Sequence, residues 1–361
     1  MHIKICCTSN STACSDFRQS GEGDCRLNMK AIVRCEIILS ILFWFAGGMR
    51  AEAKNTVYQK LNEGSKVRIA VVGDSIACGA GVQEGYSWDE LLKIWLEKEF
   101  GSSVILDNYA EGGTATMYGY YQCETRMKGK EEYDLIIICY GQNDFTEDFS
   151  LIYENLLRSL KGHSPSCDII TILESSQKKY TEKIEDIIRL SNYYGASIAD
   201  TLQAFAEETD NIEELHLDGI HPNRRGHEIY FETIYSVIKN NIISDKKTRP
   251  IPEPSVQGME IFHNFRFIPL DECIYTDGGY QLVTSRPVLG ILIQHTNQAD
   301  PIISVKMSTG EVWSMFGKVE VGYEFESALL IDELTLPGTV VQLEDPFHRM
   351  SGTVEGFIVA G

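Results

Sequence analysis

Residues 67–75 read VRIAVVGDS, and this stretch decides the fold. An apolar run broken only by Arg68 and closed by a glycine is too short for a helix and suits a strand buried on both faces. Outward from it, strand-like and helix-like patterns alternate. SWDELLKIWLEKEFG (87–101) carries its apolar residues at helical spacing, SVILDNY (103–109) reads as a second strand, and DLIIICYG (134–141) as a third, apolar on both faces. A helix is expected around 146–161, a strand over CDIITILE (167–174), a helix over 178–194, a short strand over ASIAD (196–200), and a last helix from Arg224 to Asn241. Strands alternating with helices imply right-handed crossovers and a parallel sheet covered on both faces. The expected fold class is α/β, a three-layer α/β/α sandwich with the flavodoxin-like strand order 2-1-3-4-5.

The pattern changes at both ends. Met29 is followed by Lys30 and Arg34, then by the apolar run IILSILFWFAGG and by Ala51-Glu52-Ala53, a small-x-small site. Basic start, apolar core and cleavage site in that order predict a signal peptide starting at Met29, hence a secreted or cell-surface protein. The core is short for an uncleaved membrane anchor; a leader that does not function would leave the protein in the cytoplasm. Residues 1–53 are therefore set apart as a leader, and 54–245 form the α/β domain. KKTRPIPEPS, with Pro250, Pro252 and Pro254, marks a stiff extended linker over 246–258. Beyond it, GILIQHT, PIISVKM, GTVVQLE and GTVEGFIVAG alternate with turn residues, so 259–361 reads as a small β-sandwich.

With 43% hydrophobic and 23% charged residues the composition is globular. The formal charge is −20, and the leader's six basic and five acidic residues leave −21 for the rest. Such a surface repels phosphate backbones and anionic headgroups, which argues against nucleic-acid and stable membrane partners and fits a neutral substrate such as a polysaccharide. After the leader, Cys78, Cys123, Cys139, Cys167 and Cys273 show neither CxxC spacing nor the density of a disulfide scaffold. Cys139 and Cys167 fall in apolar runs, as small buried hydrophobes do. No cysteine metal site is expected.

Four short segments carry chemistry, each at the carboxyl end of an expected strand or in the loop after it, where open parallel sheets bind ligands. Gly73-Asp74-Ser75 follows the first strand; alone it is weak evidence, since a Ser after a strand is more often a helix cap or turn residue. Asp218-Gly219-Ile220-His221-Pro222-Asn223 precedes the last helix. An Asp three residues before a His can orient the imidazole from a single turn, leaving it to take a proton from a hydroxyl. Pro222 alone suits a capped polar loop. Gly141-Gln142-Asn143-Asp144 ends the third strand, where the Asn143 amide can donate to a developing oxyanion. Gly112-Gly113 follows the second strand and offers unobstructed N–H groups.

In this order, GDS (73–75), NYAEGG (108–113), GQND (141–144) and DGIHPN (218–223) resemble the four sequence blocks of the SGNH/GDSL hydrolase superfamily over about residues 66–243. The resemblance implies a serine esterase without cofactor or metal. Ser75 would be the nucleophile, His221 the base, Asp218 its orienting partner, and Ser75 N–H, Gly113 and Asn143 the oxyanion hole. Gly113 is preferred to Gly112 by its spacing from Asn108. Ile76 stands where the name-giving motif has Leu. Competing motifs fail: Gly79-Ala80-Gly81 lacks the third dinucleotide glycine and no phosphate loop follows. GDSIA is a relaxed nucleophile elbow, but in α/β-hydrolases acid and histidine come from separate loops.

Other residues are read more plainly. Glu174 ends the fourth strand, and a solvated strand end is preferred to a pocket-lining role. His216 and His227 are expected at the surface, and Asp200 as a helix cap. Tyr86, Trp88, Tyr118, Tyr120 and Tyr121 are candidate sugar-stacking residues, with helix packing preferred for Trp88. Trp313, Tyr275 and Tyr280 are similar candidates in the C-terminal region. Export, acidity and an appended β-rich domain point to removal of O-acetyl groups from a polysaccharide or oligosaccharide, by analogy with two-domain members of the superfamily. The alternatives are a lysophospholipase or thioesterase acting on lipid acyl groups, and a non-catalytic glycan-binding protein that has kept the fold. Oligomeric state is not legible.

Overall fold

The computed structural model describes residues 56–145, 148–256, 265–276, 279–295 and 354–361, together with the backbone of four strands between 303 and 344. The leader and its expected signal peptide lie outside the described residues, as does the Trp313 side chain. Among the described residues no helix is long and apolar enough to cross a membrane.

The α/β unit runs α1 (Val57–Asn62), β1 (Val67–Gly73), α2 (Trp88–Phe100), β2 (Val104–Asn108), α3 (Thr116–Gln122) with a π-helical turn at Cys123–Met127, β3 (Leu135–Cys139), α4 (Phe149–His163), β4 (Asp168–Leu173), α5 (Glu182–Tyr194), β5 (Ser197–Asp200), α6 (Thr201–Glu208) and α7 (Arg224–Ile243). The five strands are parallel in the order β2-β1-β3-β4-β5, as expected. Alternation along each central strand divides the core in two. Ile69 and Val71 of β1 join Leu135, Ile137 and Cys139 of β3 on the face covered by α1, α2 and α7. Ala70 and Val72 join Ile136 and Ile138 beneath α4 and α5. Helix ends obey local rules: Gly101 closes α2 at φ +64°, Gly195 closes α5 at φ +73°, and Asn223 caps α7 by accepting from Gly226 N at 3.1 Å. Asp200 caps α6, as expected, accepting from Gln203 N at 3.0 Å. The sequence reading missed α1, α3 and α6; each is a short segment of six to eight residues.

The C-terminal unit has β6 (Arg266–Pro269), β7 (Ile274–Thr276), β8 (Gly279–Val283), β9 (Val288–His295), β10 (Ile303–Met307), β11 (Val312–Met315), β12 (Phe325–Leu330), β13 (Val340–Glu344) and β14 (Val354–Val359). They form two antiparallel sheets, β11-β10-β13-β8-β7 and β12-β9-β14-β6. Leu282 of the first packs with Val288, Ile291, Ile293 and Phe357 of the second, which makes the unit a sandwich. The second sheet is buried on its other face too: Leu289, Leu292 and Ile358 pack on Tyr118, Tyr120 and Tyr121 of α3 and on Leu151 and Ile152 of α4.

Residues 246–256 form neither helix nor strand and are docked against the α/β unit. Lys246 Nζ donates to both Asp168 carboxylate oxygens at 2.9 Å, and Arg158 Nη1 to Pro252 O at 2.6 Å. The buried Glu154 carboxylate of α4 accepts from Ser255 N at 2.6 Å and Val256 N at 2.7 Å. Glu154→Ala leaves both N–H groups without their acceptor, at about 1–3 kcal/mol for each that stays buried. The variant should melt at lower temperature, and trypsin should cut after Lys246 and Lys247 faster than in the parent chain.

Candidate active site

The turn after β1 is built by close approach. A Cβ on Gly73 would stand 2.4 Å from Ala77 Cβ and 2.5 Å from Cys139 O, so only glycine lets the chain fold back against β3. Asp74 N donates to Cys139 O at 3.2 Å, and Asp74 Oδ1 accepts from Ile76 N at 3.0 Å, an Asx turn around Ser75. Asn108 Nδ2, from the end of β2, donates to Ala77 O at 2.9 Å and to Asp89 Oδ2 at 3.0 Å, clamping the same loop.

The segment before α7 makes a second tight turn. Asp218 Oδ1 accepts from Ile220 N at 3.0 Å and His221 N at 2.8 Å, and Gly219 sits at φ +81° between them. Asp218 Oδ2 lies 2.7 Å from His221 Nδ1, and His221 Nε2 lies 2.9 Å from Ser75 Oγ. Burial works against ionising Asp218, but the bonds from the His221 N–H and ring and from Ile220 N outweigh it and bring the carboxyl down to about 2. The carboxylate therefore stays charged and fixes the proton on Nδ1, leaving Nε2 to accept. Ser75 is nearly buried, whereas the Asp218 side chain is 54% exposed. The constellation thus lies at an open rim rather than in a closed channel.

Asn143 and Gly113 come to this edge from β3 and β2. Asn143 Nδ2 donates to Thr114 O at 3.0 Å and to Asp74 Oδ2 at 3.3 Å, which ties the amide to the residue before Ser75. Gly113 turns at φ +78° within a loop whose Glu111 N donates to Gly73 O at 3.1 Å. Asp144 is buried; burial raises its carboxyl to about 6, held back by bonds from Thr116 N at 3.0 Å and Thr116 Oγ1 at 2.9 Å.

Several expectations are corrected. His216 and His227 are buried, not at the surface. His227 Nδ1 accepts from Trp88 N at 3.3 Å and its Nε2 donates to Ala80 O at 3.1 Å, which joins α7 and α2 to the loop carrying Ser75. His216 Nδ1 donates to Ile212 O at 2.8 Å, and its Nε2 lies 3.1 Å from Ser175 Oγ. Burial lowers both imidazoles, so they remain neutral braces. Glu174 is not a solvated strand end: it is 1% exposed, and its Oε2 accepts from Gln142 N at 2.7 Å. Tyr118, Tyr120 and Tyr121 are not available to sugars, because they pack under the C-terminal sheet. Trp88 packs in the core, as preferred, with Nε1 donating to Ile76 O at 3.1 Å. Tyr86 is exposed under the Arg224 guanidinium, 4.0 Å from the ring centre. Tyr275 is exposed and meets the partly buried Tyr280 edge-on at 5.1 Å.

For metals, one cluster among the described residues brings three donor types within 4.8 Å: Cys123, Glu124 and His163. Burial holds the Cys123 thiol well above its usual range, and Glu124 already accepts from Ser159 Oγ at 2.7 Å and contacts His163 Nε2 at 3.1 Å. The cluster is satisfied as it stands.

Residues 71–229 match the GDSL-like Lipase/Acylhydrolase family. No curated protein matches the chain in sequence. In fold, the chain is similar to a two-domain esterase active on acetylated mannans, at TM-score 0.67 and 15% identity over 84% of this chain and 94% of that one. Shorter similarities, over 48% of this chain, include a lipolytic G-D-S-L protein from Veillonella parvula (22% identity, TM-score 0.41, 98% of that chain) and an acetyl xylan esterase variant from Geobacillus stearothermophilus (15%, 0.42, 94%). The family match lies within the α/β unit and supports a carboxylic ester hydrolase.

The loop carrying Ser75 and the loop carrying His221 touch at one glycine. Gly81 has φ +105°, and a Cβ there would stand 2.3 Å from Pro222 O. Gly81→Ala must push the histidine loop away, and should lower kcat on a small ester by about 10-fold or more, with a smaller change in KM.

Proposed function

We propose that the enzyme is a serine esterase working by two-step acyl transfer, and that it removes O-acetyl groups from a polysaccharide or oligosaccharide. The observation that carries the mechanism is the continuous chain from Ser75 Oγ to His221 Nε2 at 2.9 Å and from His221 Nδ1 to Asp218 Oδ2 at 2.7 Å. Ser75 Oγ attacks the ester carbonyl while His221 takes its proton, and Asp218 stabilises the imidazolium. The Ser75 and Gly113 N–H groups donate to the oxyanion, joined by the Asn143 amide as it gives up its longer bond, 3.3 Å to Asp74 Oδ2. His221 then protonates the leaving alkoxide, and water, deprotonated by the same imidazole, hydrolyses the acyl-enzyme. As in the sequence reading, Met29–Ala53 would direct export to where such polymers occur.

Three features support the carbohydrate reading. The triad lies at an exposed rim, which admits a polymer from solution. The chain is strongly acidic, at −20, which disfavours anionic lipid surfaces. The two-unit layout is similar in fold over most of its length to an esterase described as active on acetylated mannans.

Acetate release from acetylated mannan, xylan and pectin, beside fatty-acid release from a lysophospholipid, tests the substrate class. Release from one or more polysaccharides but not the lipid is expected; the reverse pattern overturns the carbohydrate reading. Glycan binding with no hydrolysis at all would favour a non-catalytic binder. Ser75→Ala should abolish turnover of p-nitrophenyl acetate, and Asn143→Ala should lower kcat by about 10²–10³.

A further inference from the structure

Three carboxyl groups, Asp74, Asp144 and Glu174, lie buried at the carboxyl ends of β1, β3 and β4. The acyl-transfer scheme uses none of them. Thr116 accounts for Asp144, but Asp74 and Glu174 interact with each other and both hold the Gln142–Asn143 turn, Glu174 Oε2 accepting from Gln142 N at 2.7 Å and Asp74 Oδ2 from Asn143 Nδ2 at 3.3 Å. Two ionised carboxylates held side by side and out of water repel each other, which favours a proton on one of the two.

The surroundings agree. Lys183 of α5 faces the pair, but its Nζ donates to the carbonyls of Gly141 and Asp144, the latter at 2.8 Å, rather than to either carboxylate. Asp144 adds negative charge. Cys78 in the loop after β1, Cys139 and Tyr140 at the end of β3, Tyr153 on α4 and Tyr230 on α7 also face the pair, and burial raises every one of them, so they remain neutral. Lys183 attracts both carboxylates, but burial lowers it and its hydrogen bonds go to the two carbonyls. Burial raises both acids, Glu174 to about 7, and leaves the pair holding a proton at neutral pH.

The remaining bonds show what the pair holds in place. Asp74 Oδ1 accepts from Ile76 N at 3.0 Å and Oδ2 from Asn143 Nδ2 at 3.3 Å. Glu174 Oε2 accepts from Gln142 N at 2.7 Å, one residue before Asn143. We propose that Glu174 is a positioning residue: with Asp74 it forms a carboxyl–carboxylate bridge around one shared proton, and this bridge sets both the Ser75 turn and the Asn143 amide. The proposal rests on the reading of Ser75 as nucleophile and Asn143 as oxyanion donor.

When rising pH removes the shared proton, two carboxylates are left in contact and the turns they hold are driven apart. An alkaline loss of kcat follows. The sign for stability is the same. The folded chain keeps protons that an unfolded chain sheds in the ordinary carboxylate range, so stability falls as pH rises from that range through about 7.

The test is the pH profile of p-nitrophenyl acetate hydrolysis for the wild type, Glu174→Gln and Glu174→Ala, with thermal melts on each. A glutamine amide can donate to Asp74 and accept from Gln142 N without ionising. Glu174→Gln should therefore keep most of the neutral-pH kcat and lose the alkaline decline. Glu174→Ala should lose about 10- to 100-fold in kcat with KM little changed. An infrared carboxylic-acid band in the wild type at neutral pH, absent from a folded Glu174→Gln, reports the shared proton without reference to activity; no such band overturns the bridge. Covalent capture of Ser75 by a phosphonate ester keeps the two claims apart. A labelled wild type whose alkaline decline persists unchanged in Glu174→Gln overturns the bridge alone, whereas an unlabelled wild type overturns the nucleophile assignment and this proposal with it.

Discussion

A carboxyl group taken wholly out of water must find donors or keep its proton, and Asp74 is in that position directly beneath Ser75. Its donors come from two places, the next turn of its own loop through Ile76 and the end of β3 through Asn143, and it meets Glu174 at the end of β4. Satisfying one buried acid therefore draws three strand ends together. The open edge of a parallel sheet is a place of divergent loops; here it becomes a fixed cluster because Asp74 cannot be solvated any other way. The serine is placed by the needs of its neighbour as much as by its own contacts.

The three histidines near this edge show how burial assigns different work to one residue type. His216 and His227 are enclosed, lowered by desolvation and fixed to backbone carbonyls, so they act as neutral struts. His221 lies nearer solvent, between a charged carboxylate that orients it and a hydroxyl whose proton it can take. His227 also links Trp88 N to Ala80 O, which sets the loop that abuts Pro222 beside His221. A neutral strut thus helps set the distance at which the reactive imidazole meets Ser75.

Most of the α/β unit could be read from the sequence because its physics is local. The runs at 67–73 and 134–141 alternate between two cores, and Gly101, Gly195 and Asn223 stop or start helices by backbone preferences any sequence displays. Asp218 and His221 were legible for the same reason: three residues apart, they must share a turn. Glu174, His216 and His227 were misread because what buries them is remote in sequence. Glu174 meets Gln142 and Asp74 from other strands, and His227 meets Ala80 across 147 positions. A charged or polar residue at a strand end looks solvated unless the covering elements are known. The tyrosines of α3 were misread in the same way, since the sheet that covers them comes after the linker.

That covering sheet bears on the site through α3. One side of α3 carries Tyr118, Tyr120 and Tyr121 into the interface with β9 and β14, with Phe265 and Phe267 against Tyr121 at 5.9 and 6.1 Å. The N-terminal residue of the same helix, Thr116, holds Asp144 with two hydrogen bonds, and Asp144 is the neighbour of Asn143. The linker adds a second tie, since Glu154 on α4 fixes Ser255 and Val256 while Leu151 and Ile152 of that helix pack on the sheet. The C-terminal unit is therefore mechanically part of the wall that ends in Asn143. A helix as short as α3, seven residues, has little stability of its own, and its tyrosines find their apolar cover in a sheet that lies more than a hundred residues further along the chain.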